Sequence, residues 1–274
     1  MSVRVNALWV EGSLSYIQRA CLSSAVRAGH QVVLYIYRGV DGVPDGITVL
    51  DASDILPAER MLRHKVNGSF AVGSDIFRLE LLKRGLGYWV DADVYFLKPL
   101  DRCDDSYVFG WEDEESICQA VLHIPRDAQL LRDLLDFLNS DVIVPPWWPA
   151  ENQERQRLSA KDGRALPLEE MPWATTGPRA ITHFVKTNNL VAHALPAEVF
   201  YPVHWTAAND LFEPQSDIWQ RLTDRTKTVH LWNHLIEHRK HTAPAPSSFI
   251  DDICRQQAID YDGAGAEPWT SDPA

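Results

Sequence analysis

Cysteine is scarce and scattered in this sequence. The four residues, Cys21, Cys103, Cys118 and Cys254, form no C-x-x-C pair. Isolated thiols in a chain this long argue against a disulfide framework and fit the reduced thiols of a cytosolic protein. Long apolar runs are missing too: nothing nears the roughly 18 residues of a membrane-spanning helix. The start, MSVRVNALWVEGS, has no basic segment followed by an apolar one, so it does not read as a signal peptide. The expectation is a soluble, cytoplasmic protein, with peripheral association at the inner face of the membrane left open. Positive charge is in deficit: 26 Lys and Arg stand against 38 Asp and Glu, for a net charge of −12. Nucleic-acid binding needs basic surface that displaces counterions, so no nucleic-acid partner is expected. There is no internal repeat.

What is there is a chain with 45% hydrophobic residues, enough to bury a sizeable core over 274 residues. VRVNALWV reads as a strand, and GSLSYIQRACLSSAVRAGH as a helix capped by Ser13 or Ser15 and ended by Gly29. QVVLYIY completes a βαβ unit. ITVLDASDIL is a weaker third strand, SDIFRLELLKRG a helix beginning at Ser74 or Asp75, and YWVDADVYFL a strand interrupted by carboxylates. YVFGWE and ICQAVLHIP are further strands, followed by the amphipathic helix RDAQLLRDLLDFLNS. Residues 144–177 break the pattern with a long Pro- and Trp-rich stretch, polar in its middle, of the kind that forms lids or binding loops. GPRAITHFVKT resumes as a helix, VFYPVHW looks extended, TKTVHLWNH is a late short strand, and residues 249–258 form a terminal helix. This order predicts an α/β protein with a mostly parallel sheet and antiparallel additions. Residues 1–245 are expected to form one domain, and 246–274 a C-terminal helix with a flexible tail whose last ten or so residues are frayed.

The chemistry concentrates in GSDIFRLELLKRGLGYWVDADVYFLKPLD, residues 73–101. Asp91 and Asp93 are two apart, so on a strand they share a face. Their carboxylates repel unless a cation joins them, and open α/β sheets place ligands at strand C-termini. Hard oxygens there suit Mg²⁺ or Mn²⁺. The alternative is a polar turn whose aspartates cap backbone amides. On the preceding helix, Asp75, Arg78, Leu79 and Leu82 share one face, while Ile76, Phe77 and Leu81 cover much of the rest. Asp75 and Arg78 are then either an i,i+3 ion pair or a polar pair aimed at sugar hydroxyls.

These residues resemble a known pattern. SDIFRLELLKRGLGYWVDADVYFLKPL is similar to the SD-x-x-R…GG-x-Y-x-D-x-D core of the DXD sugar transferases, glycosyltransferase family 32. That family includes α-1,4-galactosyltransferases, initiating mannosyltransferases of yeast and the glucosylating domains of large clostridial toxins. ALWVEGSLSYIQRACLSSAVRAGHQVVLYIY, TTGPRAIT and VHLWNH also look like family segments, so the resemblance runs over most of residues 5–235. Gly85-Leu86-Gly87 departs from the usual Gly-Gly pair. The resemblance implies a GT-A fold (a Rossmann-like mixed sheet flanked by helices), a nucleotide-diphosphate sugar donor, a divalent metal and retention of anomeric configuration. It implies Asp93 as direct metal ligand and Asp91 at the ribose or sugar and the metal shell. It gives Asp75 and Arg78 the donor sugar, Ser74 and Trp89 the nucleotide side, and Trp9 the base. Asp75, Arg78, Asp91 and Asp93 are the catalytic set.

In VHLWNH, alternation puts His230, Trp232 and His234 on one side. Imidazole is a further ligand for Mn²⁺ and an indole N–H a donor to phosphate. His230 is expected as metal ligand and Trp232 as phosphate donor, with His234 a weaker candidate. Trp147 and Trp148, set among prolines, suit stacking on sugar rings or a membrane interface, and mark an acceptor-side loop. The expected activity is metal-dependent, retaining transfer of a hexose from a UDP-sugar to a saccharide or glycolipid acceptor in surface polysaccharide or glycolipid synthesis. The alternatives are a protein-modifying glycosyltransferase, a glycoside hydrolase or a non-catalytic sugar-binding protein.

Overall fold

The computed structural model describes residues 2–101 and 106–261. In chain order, β1 (Arg4–Trp9), α1 (Tyr16–Arg27), β2 (Gln31–Ile36) and β3 (Ile47–Asp51) come first. α2 (Ala71–Lys83), β4 (Tyr88–Val90), β5 (Val94–Phe96), β6 (Val108–Trp111), β7 (Ile117–His123) and α3 (Gln129–Leu138) follow. The remainder is α4 (Ala150–Lys161), α5 (Pro178–Thr187), β8 (Ala194–Leu195), α6 (Ala197–Phe200), α7 (Ile218–Arg221), β9 (Thr228–His230) and α8 (Phe249–Gln256), with short 3₁₀ turns between. Two compact units result: Met1–Leu50 with Val90–Arg102 and Pro196–Ala274, and Asp51–Trp89 with Cys103–Leu195. The protein is mixed α/β, consistent with the expected GT-A class.

In the first unit the strands run in the order β3-β2-β1, with β1 and β2 parallel from Arg4↔Gln31 to Trp9↔Ile36. Their alternation signal is weak because both are buried over four successive residues, as parallel strands are. Ser15 caps α1 by accepting the Ile17 N–H at 3.2 Å. Gly29, at φ +86°, turns the chain out of the helix. A separate two-stranded ribbon pairs β5 with β9, Val94 opposite His230. α1 grips that ribbon: Ser24 Oγ accepts the Phe96 N–H at 2.8 Å, both residues buried. α8 buries Phe249, Ile250, Ile253 and Cys254, as the amphipathic pattern of residues 249–258 predicts.

In the second unit the order is β4-β7-β6-β8, with β6 antiparallel to β7 and parallel to β8. β7 is buried along its whole length. α3 lays Leu130, Leu131, Leu134, Leu135 and Leu138 into the core on one helical face. α2 is buried nearly all round, Asp75 and Arg78 included. Gly73 is required by packing, since a Cβ there would lie 2.8 Å from the Leu62 amide nitrogen. Gly85 and Gly87 both take positive φ, +66° and +98°, so the Gly-Leu-Gly departure keeps a glycine at each left-handed position.

Four local expectations are corrected. α2 begins at Ala71, three residues before Ser74, so Ser74 and Asp75 lie inside the helix rather than capping it. The expected strand through residues 88–97 is two strands, with Asp91-Ala92-Asp93 in the turn between them. Within the stretch 144–177 the polar middle is a helix, α4. It has no apolar stripe to betray it; its one buried side chain, Gln156, donates to the carbonyls of Ile143 and Leu166 at 3.2 and 3.0 Å. VFYPVHW is not extended throughout, because α6 carries the chain through Phe200. Cys21, Cys118 and Cys254 are buried, while Cys103 and the end of the tail lie outside the described residues. Among the described residues no helix is long and apolar enough to cross a membrane.

Candidate active site

The turn after β4 brings Asp91 and Asp93 to β9. Strand alternation is not what aligns them. The Val94 N–H bonds back to the Asp91 carbonyl at 3.2 Å, closing the turn, and the Leu231 N–H bonds to the Asp93 carbonyl at 3.0 Å, extending the β5–β9 ribbon. Both carboxylates and the His230 imidazole therefore converge: one ligand atom from each lies within 4.8 Å of the others. Asp93 and His230 are buried, and Asp91 is half-buried.

Asp93 is the centre of this cluster. Its Oδ2 accepts the Asn233 backbone N–H at 2.7 Å and faces His230 Nε2 at 3.2 Å. Burial by itself raises the carboxyl pKa. The charge and hydrogen bond of His230, with the N–H groups of Asn233 and of Asp93 itself, outweigh it and hold the pKa at about 2. The carboxylate is thus kept ionised at any ordinary pH, as a cation ligand must be. Two carboxylates and one imidazole form a donor set suited to a borderline divalent cation such as Mn²⁺, and acceptable to Mg²⁺. His234 is exposed by surface area, yet its ring is partly desolvated by its neighbours, and this lowers its pKa; Asp93 and Asp91 oppose the shift and His230 adds to it.

Trp232 follows with φ +56°, a left-handed conformation that a bulky residue rarely takes. This breaks the alternation expected for VHLWNH. The indole packs on His230, ring centroids 4.1 Å apart, and its N–H donates to the Val203 carbonyl at 2.9 Å. That donor, expected to serve a phosphate, here serves the protein's own backbone. Trp9 ends β1 half-buried, its Nε1 donating to the Gly12 carbonyl at 3.0 Å.

The second unit holds the other expected residues. Asp75 Oδ1 accepts Gln119 Nε2 at 2.5 Å and Oδ2 accepts Thr176 Oγ1 at 2.5 Å. Arg78 stands 3.4 Å from Asp75 Oδ1, donates to the Gln119 carbonyl at 3.1 Å and to Ser74 Oγ at 3.4 Å, and lies over the Trp89 ring at 4.9 Å. Trp89 is itself fully buried, so in this conformation Arg78 covers the indole face. The two readings of Asp75 and Arg78 are therefore not exclusive: the i,i+3 pair exists inside a larger buried network. Gly177 completes it, since a Cβ there would come within 2.6 Å of Gln119 Nε2 and 3.1 Å of Asp75 Oδ2.

Sequence reasoning missed Gln119, Gln18 and Asn233. Gln119 is the polar residue in the apolar run ICQAVLHI, and Gln18 is fully buried in α1. A glutamine inside an apolar segment is the signal that was available. Trp147 stacks against Phe137 and His183, centroids 5.3 and 5.4 Å away, so it belongs to the packing of its unit. Trp148 instead borders a cavity of about 340 Å³ with Arg155, Gln156, Arg164 and Leu166.

A family model described as the Alpha 1,4-glycosyltransferase conserved region matches residues 169–259. That span contains Thr176, Gly177, His230, Trp232 and Asn233. Among solved structures, a PaToxG glycosyltransferase is similar with a TM-score of 0.45 and 9% identity, covering 94% of this chain and 86% of that one. Comparison with curated proteins finds no match. Over residues 169–259, therefore, this chain is similar to the alpha-1,4-glycosyltransferases.

Proposed function

We propose that this chain is a metal-dependent, retaining glycosyltransferase that moves a hexose from a nucleotide-diphosphate sugar, a UDP-sugar in particular, to a saccharide or glycolipid acceptor. The observation that carries the reading is the convergence of Asp91, Asp93 and His230. Two aspartates one residue apart in a single turn do not naturally straddle a glycosidic bond, as the paired carboxyls of a glycoside hydrolase do, which counts against that reading. A non-catalytic sugar-binding protein has no need of a buried Asp93–His230 pair.

Asp91, Asp93 and His230 would hold Mn²⁺ or Mg²⁺, which as a Lewis acid offsets the negative charge that builds on a departing diphosphate. The chain's own residues supply the rest. Burial of Asp93 and His230 keeps water from competing for their ligand atoms. Asn233 N–H fixes which Asp93 oxygen faces His230. The Asp75–Gln119–Thr176 network sets the rotamer of Arg78, and with Ser74 and Trp89 makes the proposed donor-sugar and nucleotide side, Trp9 serving the base. Phosphate donation by Trp232 requires its N–H to exchange the Val203 carbonyl for a phosphate oxygen. The acceptor side is assigned to the cavity at Trp148, where an indole and two guanidinium groups suit a saccharide. Surface polysaccharide or glycolipid synthesis is the process this chemistry fits.

The test is Asp93→Asn, assayed for release of nucleotide from UDP-sugars over a Mn²⁺ titration and for Mn²⁺-dependent UDP binding by calorimetry. Both are expected to vanish with the fold intact by circular dichroism. Turnover at the level of the unsubstituted protein would refute the metal assignment.

A further inference from the structure

Asp93 Oδ2 is held by the backbone N–H of Asn233 as well as by His230. That N–H sits one residue after Trp232, in a turn that runs against local backbone preference. Something must hold Asn233 where it is. Its side chain supplies the handle: Asn233 Oδ1 accepts Gln18 Nε2 at 2.6 Å. Gln18 comes from α1, is fully buried, and is itself oriented, since its Oε1 accepts the Ser15 hydroxyl at 2.5 Å. Ser15 Oγ in turn accepts the Ile17 N–H as the helix cap. The cap of α1 thus determines which end of the Gln18 amide faces Asn233. α1 also reaches the other arm of the site through Ser24 and Phe96. Its nearness to the carboxylates is felt at Cys21, whose thiol pKa is pushed up by burial first, then by the Asp93 charge, then by Cys254.

We infer that Gln18 is a positioning residue for cation binding: through Asn233 it presets the turn that fixes the Asp93 carboxylate before any cation arrives. The inference rests on Asp91, Asp93 and His230 being the cation site. Groups that orient a metal ligand without touching the metal commonly change affinity about 10- to 100-fold when removed. Gln18 acts one bond further out, so the low end is expected.

The experiment measures Mn²⁺ affinity of the whole, chelator-stripped chain by electron paramagnetic resonance of free Mn²⁺. The variants are Gln18→Leu, Asn233→Ala, their combination, and Asp93→Asn. Thermal midpoints of the metal-free forms are recorded alongside. Gln18→Leu and Asn233→Ala are each expected to weaken Mn²⁺ about tenfold. The combination should lose no more than the worse single variant, because both break one chain of contacts. A lowered midpoint with unchanged Mn²⁺ affinity would make Gln18 merely structural and overturn the inference, as would additive losses. If Gln18→Leu does not fold, Asn233→Ala decides alone: it sits in a half-buried turn and keeps its backbone N–H. Mn²⁺ binding that Asp93→Asn abolishes and the Gln18 and Asn233 variants retain overturns the Gln18 role only. No Mn²⁺ binding by the unsubstituted chain overturns the cation site and this inference with it.

Discussion

Asp75→Ala removes the shared acceptor of three side chains. Gln119 and Thr176 each lose a 2.5 Å hydrogen bond, and Arg78, only 5% exposed, loses its ion pair at 3.4 Å. Breaking a buried ion pair from one side costs about 3 to 5 kcal/mol, because the surviving charge stays out of water. Arg78 keeps the Gln119 carbonyl and the Trp89 face, so the loss is expected near the bottom of that range, about 3 kcal/mol. Against a net stability of about 5 to 15 kcal/mol, the variant still folds, with a lowered urea midpoint and an unchanged slope. A companion variant, Asp75→Leu with Arg78→Met, removes both charges. It should recover at least half of the loss, since apolar replacement of a buried pair is often neutral or better. Urea denaturation of the metal-free chain, followed by tryptophan fluorescence and circular dichroism, measures both. A loss below about 1 kcal/mol, or a double variant no better than the single one, would refute the claim that the network supports the fold as well as any donor.

Gly177→Ala is expected to cost about 1 to 3 kcal/mol by overpacking, since the new Cβ meets Gln119 and both Asp75 oxygens; an unchanged thermal midpoint would contradict the geometry. The Asp93 carboxyl, held at about 2 against an ordinary 3.8, contributes stability that is present above the ordinary value and is lost as pH falls through about 2. The metal-free chain should therefore weaken as pH drops from about 4 toward 2, and Asp93→Asn should weaken less over that window. Equal pH slopes for the two proteins would dismiss the depressed pKa.

The α/β class, the βαβ start and most helices are legible in the order of residues, because they depend on local periodicity and on caps such as Ser15 and Gly29. Asp91, Asp93 and His230 were legible as candidate ligands by residue type. Helix α4 was not legible, because a helix without an apolar stripe leaves no period to read. Nor was the left-handed Trp232, since nothing in VHLWNH signals that the strand stops at His230. Which residues face one another is set by long-range packing. Asp91 and Asp93 meet His230 through a turn and an antiparallel ribbon formed across more than a hundred residues of chain. Gln119, Thr176 and Gly177 close on Asp75 for the same reason, as Gln18 does on Asn233. A buried polar side chain must find a partner, and its identity depends on packing at long range, which no local pattern encodes.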